Sequence, residues 1–169
     1  AHAGQRGGGL ATLFPDGTPR QVIVLDPPGS ADTTDIHQIV PVSEGAAFYV
    51  SGNRGFDGVL HRIGANGVID TTFQANTDFT DGDFMTSIQQ LELVGDELWL
   101  ATFTWQFNPR VVRLDSEGNQ MEEYAVPNPQ GLVILPDGRP LVTCVVNGEP
   151  DVYVVDERQL SPYLPGPAA

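Results

Sequence analysis

The chain contains no lysine, and its eight basic side chains, all arginine, face 22 acidic ones for a net charge of −14. Such a chain repels phosphate backbones, which argues against nucleic acid as a partner, and it repels anionic lipid surfaces for the same reason. The acidity is read as a soluble, self-repelling surface or an adaptation to salt, with binding of divalent cations by acidic loops as the sharper alternative. Using arginine alone also fits a GC-rich coding sequence. Cys144 is the single cysteine, so no intrachain disulfide can form. In the run Leu-Val-Thr-Cys-Val-Val it reads as a small buried hydrophobe, with a catalytic or intermolecular role as the alternative. Lack of disulfides does not exclude secretion. Apolar runs of about 18 residues are absent, so no membrane-inserted helix is expected. Helical patterns of Ala, Leu, Glu and Lys are missing as well. So are the Gly-x-Ser-x-Gly, His-Glu-x-x-His, P-loop and Rossmann fingerprints, and Gly7-Gly8-Gly9 opens no helix that would make it a phosphate cradle.

What is present is turn chemistry. Nineteen glycines and 14 prolines, beside 40% hydrophobic residues, suit many short strands joined by many turns in an all-β chain with a proper core. Leu60–Phe73 sets the pattern: a strand over Leu60–Ile63, a tight turn at Asn66-Gly67, and a second strand from Val68. The same outline recurs at Leu10–Gly17, Val111–Gly118 and Val152–Gln159. Its anchors Leu13, Ile63, Leu114 and Val155 lie 50, 51 and 41 residues apart. A unit of that length points to the blades of a β-propeller.

Residues 1–9 read as a flexible lead-in, and Ala1-His2-Ala3 has the small-x-small form of a processed end. The repeat domain spans about 10–160, in units of about 10–35, 36–87, 88–130 and 131–160, and a Pro-rich tail covers 161–169. In the first unit, the consecutive apolar residues Val22, Ile23, Val24 and Leu25 suggest a strand covered on both faces. Each complete unit offers four antiparallel strands in meander order, giving an array of about three and a half blades. A closed ring typically has about four to eight. The arc therefore belongs to a longer chain, closes by self-association with another arc or protein partner, or distorts into a four-bladed ring. A β-sandwich is the competing architecture, disfavoured by the regular spacing.

Arg62-Ile63-Gly64-Ala65-Asn66-Gly67-Val68-Ile69-Asp70-Thr71-Thr72-Phe73 resembles the delta-60 repeat, whose pattern looks like Arg-Leu-x-x-(Asp/Asn)-Gly-x-x-Asp-x-x-Phe. Pro136-Asp137-Gly138-Arg139-Pro140-Leu141-Val142 is similar to the other half of that repeat. Arg113–Gly118 keeps the first half but continues without Asp-x-x-Phe, and the last unit lacks the Asp-Gly turn after Val155. The resemblance implies a β-propeller module of large secreted or surface bacterial proteins, so an extracellular, cell-surface or periplasmic location, and it carries no shared catalytic motif.

Three groups of residues are candidates for chemistry. Asp78, Asp81 and Asp83, set around Gly82, could supply carboxylate oxygens to Ca2+, though without the spacing or closing glutamate of an EF-hand; a solvated loop is the plainer reading. His37 and His61, near Asp32, Asp35 and Asp57, could form a metal or acid–base site if the fold brought them together, and are otherwise surface or edge histidines. Trp99, Phe103, Trp105 and Phe107 form an aromatic series. Trp105 and Phe107 fall in a loop-like stretch and would make a stacking platform for a sugar or a partner's side chain, while the strand residues would fill the space between blades. The resulting expectation is a non-enzymatic structural or protein-interaction module. The alternative is a calcium-dependent propeller hydrolase of lactonase type, in which a central cation would polarise a carbonyl.

Overall fold

The computed structural model describes residues 9–26, 34–42, 47–55, 57–76, 86–104, 109–156 and 159–162. About 70% of the structure is strand, arranged as a propeller-like array of small antiparallel sheets. The first sheet holds β1 (Gly9–Leu13) and β2 (Pro19–Val24). The second holds β3 (Thr34–Pro41), β4 (Ala47–Arg54) and β5 (Asp57–Gly64), followed by the short helix α1 (Thr71–Asn76). In the third, β6 (Thr86–Val94), β7 (Glu97–Thr104), β8 (Arg110–Leu114) and β9 (Gln120–Ala125) run as a meander. The fourth repeats that order with β10 (Pro129–Ile134), β11 (Pro140–Val146), β12 (Glu149–Asp156) and β13 (Gln159–Pro162). β13 thus reaches Pro162, inside the segment read from sequence as tail.

One five-residue turn is used four times, over 14–18, 64–68, 115–119 and 135–139. In each, the first amide donates to the fifth carbonyl and the glycine amide donates to the first carbonyl, as in Gly64 N to Val68 O at 3.0 Å and Gly67 N to Gly64 O at 2.8 Å. The glycine has positive φ every time: 83° at Gly17, 77° at Gly67, 87° at Gly118 and 89° at Gly138. That conformation is costly for a side chain bearing Cβ, which is why the sequence spells Asp-Gly or Asn-Gly at three of the four. A neighbouring Asp or Asn locks the loop by accepting a main-chain N–H, as Asp16 does from Thr18 at 2.9 Å and Asn66 from Val68 at 3.1 Å.

Three apolar layers between successive sheets hold the array together. Ile23 of the first sheet and Leu25 just after it pack on Val50 and Ile63 of the second. Tyr49, Leu60 and Phe73 meet Ile88, Leu91, Leu98, Leu100, Val112 and Leu114 of the third. Trp99, Ala101 and Val111 meet Leu132, Val142, Cys144 and Val155 of the fourth. Because strand side chains alternate, each interior sheet feeds one layer with one face and the next layer with the other.

Two expectations are corrected. The strand expected from Val68 shrinks to a single bridge, Ile63 to Ile69, and the chain turns into α1. Asp70 causes this: its Oδ1 accepts the amides of Thr72 and Phe73, both at 3.1 Å, and so caps the helix. Phe73 is then buried against Tyr49, ring centroids 5.4 Å apart. The second unit therefore shows three strands and a helical turn among its described residues. The run Val22–Leu25 is covered on one face only: Ile23 and Leu25 are buried, whereas Val22 and Val24 are 66% and 60% exposed. Val22 and Val24 lie on the outermost strand of their unit, and the matching residues of β9, Glu123 and Ala125, are exposed as well.

Candidate functional site

The repeat aligns its units residue by residue, and this alignment exposes the most unusual surface of the chain. Ile63, Leu114 and Val155 each lie at the end of the third strand of a unit or one residue before it, point toward the preceding sheet, and are 0%, 1% and 2% exposed. Leu13 holds the same place in the first sheet and is 57% exposed. A register shift fixes the match: β1–β2 is irregular between Thr12 and Leu13, as β8–β9 is between Arg113 and Leu114. So β1 and β2 are the third and fourth strands of a unit, and the first sheet shows no first or second strand among the described residues. Ala11, Leu13, Val22 and Val24 form one exposed apolar face there. At the other end of the array, Val133 is 49% exposed on the outward face of the fourth sheet.

The junction between the first and second sheets is built with polar care. Asp26, buried at the end of β2, accepts Arg54 Nε at 3.0 Å and the Thr34 amide at 3.0 Å, and Arg54 donates to Leu25 O at 3.0 Å. Beside this network lies His61, cross-strand from Val50 and 1% exposed. Neither ring nitrogen of His61 has a hydrogen-bond partner among the described residues, and burial, reinforced by Arg54 and opposed by Asp26, holds its pKa below the ordinary value. Thr12 Oγ1, on the same junction, is also buried without a partner.

A second feature repeats near the first strands. The first strand of each of the three fuller sheets carries a β-bulge, at His37, Gln89 and Gln130. Bulges re-aim side chains, and the one at His37 serves the joint between the second and third sheets. His37 Nδ1 lies 2.8 Å from Ile88 O, and Gln38 next to it donates to Leu91 O at 2.8 Å while accepting the Leu91 amide at 2.7 Å. A cleft of about 370 Å³ opens between the second and third sheets, walled by Tyr49, Arg62, Leu93, Asp96 and Ser116. Its cation is already engaged, since Arg62 donates to Ser116 O at 2.8 Å and faces Asp70 at 3.5 Å.

The candidate residues fare unevenly. Asp78, Asp81, Asp83, Trp105 and Phe107 lie outside the described residues, as does Asp32. His37 and His61 do not converge: one is exposed on β3 and bonded to the third sheet, the other buried on β5 toward the first. Among the described residues, no group of three or more His, Cys, Asp or Glu is placed to hold a metal ion. Trp99 fills the space between the third and fourth sheets, stacked on Tyr124 at 6.1 Å and covered by the Arg113 guanidinium at 5.5 Å. Arg113 in turn is held by Glu97 at 2.6 Å and Glu122 at 3.1 Å. Cys144 is buried, and burial, with a smaller push from Asp151, raises its thiol to about 11, so it is an inert packing group. Sequence reasoning missed the Asp26–Arg54–Thr34 network. Its members are far apart in the chain, and no local pattern joins them.

By fold, then, the chain is a propeller-like repeat protein. No family model matches it, and no curated protein matches its sequence. Among solved structures it is similar to a protein of unknown function from Bacteroides caccae, with a TM-score of 0.55 and 12% identity, over 91% of this chain and 53% of that one. The chain spans about half the length of that protein, and the likeness concerns the fold.

Proposed function

We propose that this chain is a non-enzymatic structural or protein-interaction module, of the delta-60 repeat kind, in a secreted or surface bacterial assembly. It works by joining its open ends to a protein partner or to another arc that completes the ring. The observation that carries this reading is the exposure of Leu13, beside the exposed Ala11, in a place whose counterparts Ile63, Leu114 and Val155 are buried in the other three units. Contiguous apolar surface of this kind marks interaction sites. The surrounding chemistry supports the same reading, because the arginines at the sheet junctions (Arg54, Arg62, Arg113) are spent on holding the fold.

An assay against ester and lactone substrates, with and without calcium, tests the proposal. The expected result is no turnover in either condition. Calcium-dependent turnover that an Asp81→Ala variant abolishes would overturn it in favour of a propeller hydrolase.

A further inference from the structure

Among the described residues, the first sheet has an unpaired inner edge as well as an uncovered face. In the third sheet β8 is flanked by β7 and β9, and in the fourth β12 is flanked by β11 and β13, whereas among the described residues β1 pairs with β2 alone. Among the described residues nothing pairs with its other row of N–H and C=O groups, and such an edge is a template for an incoming strand. The polar atoms of Thr12 and His61, buried at the same junction without partners among the described residues, mark a place where hydrogen-bonding capacity is left unused.

Resting on the reading of this chain as a module joined through its ends, we propose that β1 takes up a two-stranded β-hairpin from a partner polypeptide, completing the first sheet to four strands. The other units specify what fits. β6–β7 and β10–β11 occupy this position in the third and fourth sheets, and both are hairpins that pair antiparallel with the strand equivalent to β1. Such a hairpin is apolar on both faces: β10–β11 turns Leu132 and Val142 into one layer and carries Val133 and Leu141 on the other side. In the first sheet, that second side would lie over Ile36 and Phe48, which flank the layer around Val50. Register follows from the shared anchor. Leu141, Val142 and Thr143 pair with Val154, Tyr153 and Val152 in β12, so Ala11, two residues before Leu13, takes the place of Tyr153 and should face the residue equivalent to Val142.

A synthetic peptide of residues 129–146 serves as the probe hairpin. Its fluorescence anisotropy should rise saturably with the unmodified full chain. For register, the peptide carries Val142→Cys and Cys144→Ser, and the chain carries Ala11→Cys or Thr12→Cys. In a glutathione redox buffer, Ala11→Cys should form the mixed disulfide with the peptide at least tenfold more than Thr12→Cys, whose side chain leaves the opposite face of the strand. Equal capture by both variants, or disulfide between two copies of the Ala11→Cys chain in place of the peptide, overturns the proposal. So does an absence of anisotropy change with the unmodified chain, which also decides the matter if the cysteine variants do not fold. A negative result here leaves the module reading standing with a different occupant, whereas calcium-dependent turnover would remove that reading itself.

Discussion

Arg62 and Asp70 are tied to each other twice: the Asp70 amide donates to the Arg62 carbonyl at 2.9 Å, and Arg62 Nε lies 3.5 Å from Asp70 Oδ2. The same arginine reaches the next unit at Ser116 O, and the same aspartate caps α1 and so seats Phe73. Eight residues apart in sequence, the pair fixes how the second unit ends and where the third begins.

Removing the cap should therefore cost more than removing the charge. Asp70→Ala loses the cap and is expected to destabilise by about 1 kcal/mol. Asp70→Asn keeps a capping oxygen and loses only a solvent-screened ion pair, a change of roughly 0–1 kcal/mol. Urea denaturation of both variants checks the order, and a larger loss in Asp70→Asn would contradict this account of the motif.

Phe73 is the buried end of that motif, so Phe73→Ala should cost roughly 3–5 kcal/mol through lost transfer energy and the cavity left beside Tyr49. Calorimetry would show a lowered Tm, whereas Val68→Ala, on an exposed side chain, should leave Tm nearly unchanged.

The sheet junction predicts a pH dependence. His61 has a folded-state pKa below its ordinary value of 6.5, so as pH falls the unfolded chain takes up a proton before the folded one does. Stability should thus be full at pH 7 and above and decline as pH drops below about 6.5. His61→Leu removes the two unpartnered nitrogens and should flatten this decline. Denaturation curves at pH 7.5 and 5.5 decide it, and an equal pH dependence in both proteins would show that another group is responsible.

Asp26 should be among the least replaceable surface-distant carboxylates. Asp26→Ala strands Arg54 and the Thr34 amide, a loss of about 3 kcal/mol for breaking a buried pair. Amide hydrogen exchange should report faster exchange in β1 and β2 first, because the network joins them to the second sheet.

Cys144 should resist thiol reagents in the native state and react at once in denaturant, as its burial and raised thiol pKa require. Rapid native labelling would mean that the fourth sheet opens.

The sequence alone determined the repeat, the strand content and the turns, because these rest on short-range chemistry: alternating apolar residues, and glycines where φ must be positive. It also marked Arg62, Asp70 and Phe73 as a set, although a helix cap replaced the expected strand, since the Asp70 carboxylate accepts the amides of Thr72 and Phe73 locally. Tertiary structure alone decided which faces are covered. Leu13 and Ile63 hold the same place in their units and are both apolar, yet one is exposed and the other buried, because among the described residues the first sheet has a neighbour on only one side. Nor could pattern reveal the Asp26–Arg54 network or the solitary burial of His61. Desolvation and pairing of charges depend on which distant strands are stacked together, and only the assembled array sets that.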